Sequence, residues 1–165
     1  MGAKTCLSEN LDNAAFLRTQ IDKINSFFAA GEVKEIWITF PDPQLRVSKA
    51  KKRLTHPKFL RLYQQILHPG GLIHLKTDSP DLYEFTKRVI GLYKLEVIED
   101  YDNLYEQASI AKELQIKTHY EGLDIAQSNR IHYLQFRLPA APLPDIDKLL
   151  QEQLKTDETS VEGGH

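Results

Sequence analysis

Two short apolar runs, each cut off by a rigid turn and separated by one helical repeat, limit what this chain can fold into more than anything else in it. Glu35-Ile-Trp-Ile-Thr-Phe40 is continuous in β-branched and aromatic residues and ends in Pro41-Asp42-Pro43. Leu72-Ile-His-Leu-Lys76 is the second run, preceded by His68-Pro69-Gly70-Gly71, where a helix must stop. Runs without polar alternation suit parallel strands covered on both faces. Between them Phe59, Leu60, Tyr63, Ile66 and Leu67 recur at helical spacing, with Thr55 as the cap and Pro57 in the first turn. The rhythm predicts strand, helix and strand within a parallel α/β sheet.

The pattern extends both ways. Asn13 to Arg18 reads as a short buried strand, and Gln20 to Ala30 as a helix with Ile21, Ile24, Phe27 and Phe28 on one face. After Lys76, Ser79 and Pro80 open a helix whose inner face is Leu82, Phe85, Val89 and Ile90. Leu95 to Tyr101 and Arg130 to Leu138 are further strands, with a helical or irregular segment over 108–127. Residues 1–139 are expected to form the domain. Residues 140–165 then hold a short helix over Asp145 to Lys155, built on Ile146, Leu149, Leu150 and Leu154, and a polar, disordered tail from Thr156.

At 165 residues the chain suits one domain, and no apolar run approaches the roughly 20 residues a membrane span needs. Its single cysteine, Cys6, excludes an internal disulfide and any multi-cysteine metal site, which fits a cytoplasmic protein. The histidines at 56, 68, 74, 119 and 132 show no metal-ligand spacing, so no metal is expected. The net charge of −2 argues against a nucleic-acid binder until its distribution is considered. Residues 43–77 contain none of the 23 acids but eight of the 21 Lys and Arg: Arg46, Lys49, Lys51, Lys52, Arg53, Lys58, Arg61 and Lys76. The remaining 13 cations face all 23 acids, so the charge is strongly polarised along the chain.

Ligands of open parallel sheets sit beyond the carboxyl ends of the strands. The Pro41-Asp42-Pro43 and Lys76-Thr77-Asp78 turns occupy such ends. Two prolines stiffen the backbone on either side of Asp42, which suits a carboxylate that must be held in one place. Asp-Pro pairs are also ordinary turn material, and a lysine run is most often a solvated face. Position favours the functional reading: a cationic loop opening beside a strand-end carboxylate can grip phosphates while the carboxylate meets a base or a methyl donor.

In order and spacing, Phe40-Pro-Asp-Pro43, the basic loop ending Lys51-Lys-Arg-Leu54, Leu67-His-Pro-Gly-Gly-Leu72 with Leu75-Lys-Thr-Asp78, and Thr118-His-Tyr-Glu121 resemble the tRNA (guanine-N7-)-methyltransferase family over about residues 12 to 138. The resemblance implies a Rossmann-like class I methyltransferase fold, S-adenosylmethionine as donor, and methyl transfer to N7 of a variable-loop guanosine of tRNA. By motif, Asp42 takes the catalytic aspartate position, which also lies at the donor site. Arg46 stands at a substrate-contact position where the family usually carries lysine, an exchange that alters hydrogen-bond geometry. Asp78, Thr118, His119, Tyr120 and Glu121 fall on substrate-binding positions; the charge and place of the cationic loop make Lys49, Lys51, Lys52 and Arg53 the candidate phosphate contacts with tRNA.

The glycine-rich donor turn that normally opens such a fold is not in this sequence. The expectation is therefore a truncated product lacking the first two strands, with an exposed edge on the Glu35–Phe40 strand and an incomplete donor site, in which Gln20 is the remaining candidate beside Asp42. Two other readings compete: a non-catalytic RNA-binding module, and a methyltransferase acting on a small molecule or protein. The second leaves the cationic loop without a role.

Overall fold

The computed structural model describes residues 2–123 and 129–162. Four strands, β1 (Val33–Thr39), β2 (Leu67–Thr77), β3 (Glu96–Tyr101) and β4 (His132–Arg137), form one sheet in the order β1-β2-β4-β3. Four helices accompany them: α1 (Gly2–Ser8), α2 (Pro57–Ile66), α3 (Pro80–Leu92) and α4 (Asp147–Glu162).

The sheet is mixed rather than parallel throughout. β1 and β2 pair in parallel, whereas β4 inserts antiparallel between β2 and β3. The βαβα rhythm reads strand spacing and cannot register that a last strand turns back. The consequence bears on the site. β1, β2 and β3 all point their carboxyl ends the same way, so the turns after Thr39, Thr77 and Tyr101 emerge along one edge.

Helix α2 buries Phe59, Leu60, Tyr63 and Ile66, and α3 buries Leu82, Phe85, Val89 and Ile90; together they cover Ile38, Ile73, Leu75, Leu134 and Phe136 of the sheet. Each such side chain contributes on the order of 1.5–3 kcal/mol through apolar burial. Ser79 caps α3 as expected, its hydroxyl accepting from the Leu82 amide at 3.2 Å. The cap of α2 is His56, one residue later than expected, with Nδ1 accepting from the Lys58 amide at 3.0 Å. Thr55 is instead buried against the Thr86 hydroxyl at 2.8 Å. Within the first half of β2 the Pro-Gly-Gly segment bulges out of register, and a Cβ on Gly71 would lie 2.8 Å from the Leu67 side chain and 2.9 Å from the His68 carbonyl.

Three other expectations change. Asn13 to Arg18 is not a buried strand: it has no regular structure, and Phe16 and Leu17 are exposed. Among the described residues β1 is an edge strand, and Glu35, Trp37 and Thr39 on one of its faces are exposed, so it is not covered on both faces. Helix α4 runs on to Glu162, past the tail expected from Thr156, while Leu150 joins the main core and Ile146 and Leu154 pack against it. The helix or irregular segment over 108–127 consists of short 3-10 turns at Lys112–Gln115 and His119–Gly122; its end lies outside the described residues.

Candidate functional site

Thr39 pairs with Lys76, and the Phe40 amide then donates to the Lys76 carbonyl at 2.8 Å, so the turns after β1 and β2 leave the sheet side by side. Asp42 and Asp78 therefore arrive at one place. They line a single cleft of about 470 Å³ with Phe40, Pro41, Pro43, Leu45, Ser79, Pro80, Asp81 and Tyr120.

The Asp42 turn is held under strain. Phe40 and Gln44, on either side of the Pro-Asp-Pro triplet, both adopt left-handed φ values, 48° and 49°. Non-glycine residues there cost on the order of 1–2 kcal/mol each and persist only where the surroundings impose them. The Asp42 carboxylate is exposed and accepts one local hydrogen bond, from the Gln44 amide at 2.9 Å. Its remaining lone pairs face solvent, available to a cation or a donor. Asp78 is half-buried at the mouth of α3, one residue before the cap.

Glu121, grouped by motif with Asp78, has a different environment. Its carboxylate pairs with the Lys76 ammonium at 2.8 Å, and both side chains are only 3% exposed. It also accepts from the Thr118 amide at 2.9 Å and from the Tyr105 hydroxyl. Burial alone would raise its pKa, but the hydrogen bonds from Lys76, Tyr105 and Thr118 outweigh burial and hold it below the usual value. The Lys76 ammonium completes its shell with the carbonyls of Leu114 and Ile116, at 3.2 and 3.1 Å. This network ties the Thr118–Gly122 turn to the end of β2 and so carries Tyr120, 55% exposed, to the rim of the cleft. Thr118 is half-buried at the start of that turn, and His119 is exposed.

The basic stretch divides in the same manner. Arg46, Lys49, Lys51 and Lys52 are exposed on a 3-10 turn, Val47–Lys52 with Arg46 as its cap, anchored by the buried Ala50. Arg53 points inward: it is 4% exposed, its guanidinium lies 4.5 Å from the Phe85 ring centroid, and it donates to the Gln44 and Leu45 carbonyls. Lys58 pairs with Asp22, Arg61 with Asp147, and Lys76 with Glu121. Half of the eight cations therefore meet partners that are distant in sequence or inside the fold.

Gln20 is exposed at the start of the Ile21–Ser26 turn and is not among the residues lining the Asp42 cleft. One coupled group was missed. His74 bridges the Tyr133 hydroxyl at 2.7 Å and the Glu35 carboxylate at 2.9 Å beneath a stacked Trp37, in a second cavity of about 570 Å³ on the face of the sheet away from α2 and α3. Period-two alternation of Glu35, Trp37 and Thr39 was the signal that this face is polar. Among the described residues no group of His, Cys, Asp and Glu could hold a metal ion, and no helix is long and apolar enough to cross a membrane.

A family model described as "Putative methyltransferase" matches residues 3–134. The tRNA (guanine-N(7)-)-methyltransferase of Porphyromonas gingivalis is 50% identical over 138 residues, 83% of this chain and 56% of that protein. Its counterpart in Bacteroides thetaiotaomicron is 44% identical over 149 residues, 88% and 58% of the two chains, and that of Christiangramia forsetii 41% over 138 residues, 83% and 62%. The chain thus spans little more than half the length of the curated relatives it matches.

Proposed function

This chain belongs to that methyltransferase family, and from that premise we propose that it acts in methyl transfer from S-adenosylmethionine to N7 of a variable-loop guanosine of tRNA. The observation that carries the reading is the convergence of Asp42, Asp78 and Tyr120 in one cleft, with four exposed cations on the loop that leaves it after Leu45. Curated relatives that share most of this chain's length bear the corresponding name.

The residues present fit the reacting end of such a site. The cleft has walls of Phe40, Pro41, Pro43, Leu45 and Pro80, suited to a planar base, and an exposed Asp42 carboxylate, suited to a sulfonium. S-adenosylmethionine, when bound, supplies the methyl group. Guanine N7 carries a lone pair and needs no base, so the chain's work is positioning and charge stabilisation. Asp42, held by its prolines and by the Gln44 amide, faces the positive charge that develops on the purine. Asp78 accepts from N1–H and the exocyclic amine of guanine. Glu121 is already engaged by three donors and acts as an anchor for the Tyr120 turn. Tyr120 stacks on a base drawn out of its stack, at a cost of a few kcal/mol that these contacts offset. Arg46, Lys49, Lys51 and Lys52 grip phosphates. Such an activity belongs in the cytoplasm, where tRNA is available.

The test is transfer of labelled methyl groups to unmodified tRNA by this chain and by the longest open reading frame that contains it. Label at N7 of the variable-loop guanosine supports the proposal. Salt-sensitive tRNA binding by both forms without transfer would replace it with a non-catalytic RNA-binding module, and absence of both would leave neither reading standing.

A further inference from the structure

We propose that Arg53, a member of the basic stretch by sequence, is a positioning residue for Asp42 and makes no contact with tRNA phosphate. The inference rests on the reading of Asp42 as the catalytic carboxylate. Its geometry is independent of that reading.

The Arg53 guanidinium is buried, and two of its donors are already committed: Nε to the Gln44 carbonyl at 3.2 Å and Nη2 to the Leu45 carbonyl at 3.1 Å. Phe85 of α3 lies beneath it at 4.5 Å. A guanidinium buried in this way is costly unless its donors are matched, and here burial draws its pKa down while Asp81 opposes the shift. Two backbone carbonyls and an aromatic face match them. What those carbonyls belong to gives the arrangement its meaning. Gln44 is the left-handed residue whose amide holds the Asp42 carboxylate at 2.9 Å. The peptide flanks of one residue thus link Arg53 to Asp42: the carbonyl of Gln44 accepts from Arg53, and its amide donates to Asp42. Arg53 is fixed in turn, since its own amide donates to the Ala50 carbonyl and its carbonyl accepts from the His56 amide at the head of α2. The strained turn is therefore referenced to the core through α2 and α3 rather than through its own sequence.

The same staple closes the loop from Gln44 to Arg53 that displays Arg46, Lys49, Lys51 and Lys52. That loop keeps a separate anchor in Ala50, which is buried in the main core. Loss of the Arg53 clamp should therefore disturb Asp42 more than the cations. Lysine at 53 retains the charge but cannot reach two carbonyls and stack on Phe85 at once.

Two arms decide the matter. In the first, the Arg53 Nε–H resonance of the unaltered chain is followed by NMR as unmodified tRNA is added. Slow exchange and an unmoved position, while the Arg46 side chain shifts, are expected; a large shift with loss of protection would overturn the proposal. In the second, Arg53→Lys is compared with Lys52→Gln. Arg53→Lys should lower kcat about 10- to 100-fold, the scale of a misplaced reacting group, with KM and the salt dependence of tRNA binding within about twofold of the parent. In Arg53→Gln, which removes the charge that lysine keeps, a salt slope reduced by about one with kcat unchanged would make Arg53 a phosphate contact. Should Arg53→Lys fail to fold, Phe85→Leu keeps the arginine and removes the ring beneath it, and a smaller loss of kcat is expected; unchanged kcat would sink the idea. If neither this chain nor the longest open reading frame that contains it transfers a methyl group, the functional reading fails, and the Nε–H measurement still decides the place of Arg53.

Discussion

Asp42 and Glu121 stand in neighbouring turns at one edge of the sheet and belong to motifs that point to the same site, yet their surroundings are opposite. Asp42 is exposed, takes one hydrogen bond from its own turn, and sits in backbone that something else must hold. Glu121 is sealed, paired with Lys76, and satisfied by Tyr105 and the Thr118 amide. A carboxylate whose acceptor sites are filled from within can shape a site but has little left to offer a ligand. The one left open, on a turn kept under strain, is where chemistry is to be sought.

The contrast is broken most directly at Glu121. Glu121→Ala leaves the Lys76 ammonium buried without its counter-ion, and removing one partner of a buried pair costs about 3–5 kcal/mol. Chemical denaturation should show a loss of that size, and Lys76→Met combined with Glu121→Leu should recover much of it. Unaltered stability in Glu121→Ala would mean that the network is not structural. Asp42→Ala is expected to behave conversely: folding within about 0.5 kcal/mol of the parent, and a 100- to 1000-fold drop in kcat, the scale of losing one preorganised electrostatic group. Retained turnover would remove Asp42 from its role.

Much of this was legible beforehand, for identifiable reasons. The cores of α2 and α3 follow from helical spacing, the Ser79 cap from its chemistry, and the meeting of Asp42 with Asp78 from the rule that parallel strands end together. What escaped is tertiary. Arg53 and Lys52 are adjacent cations in sequence, and only the position of Phe85 and the Gln44 carbonyl turns one inward. Lys76 reads as the last residue of a strand, and its partner lies 45 positions later. The antiparallel insertion of β4 leaves no mark in hydrophobic period, because a strand has the same alternation in either direction.

Burial also separates polar groups by how their effects vary with pH. His56 caps α2 through Nδ1 at 5% exposure, and desolvation lowers its pKa from 6.5 to about 4. A depressed folded-state pKa means that the unfolded chain binds the proton more readily. The stabilisation is then complete above pH 6.5 and is lost as pH falls toward 4, on the order of 3 kcal/mol. His74 and His132 are shifted the same way. His56→Ser keeps a cap without a titrating group, so the slope of stability between pH 6.5 and 4 should shrink and not vanish; an unchanged slope would place the acid sensitivity elsewhere. Glu121, also held below its usual value, should lose its contribution only at still lower pH, near the unfolded carboxylate range and beneath it.

The smallest expected effect tests the exposed half of the contrast. Lys52→Gln removes one of four solvent-facing cations on the loop that follows Asp42 in the chain. Nothing buried depends on it, so stability should move by less than about 0.5 kcal/mol. Its expected signature is a salt slope for tRNA binding shallower by about one, because one fewer phosphate is neutralised and one fewer counter-ion released. A loss of affinity that does not change with salt would mean that Lys52 acts through shape rather than charge. The division of the basic stretch into an inward staple and an outward grip would then have to be redrawn with Lys52 on the structural side.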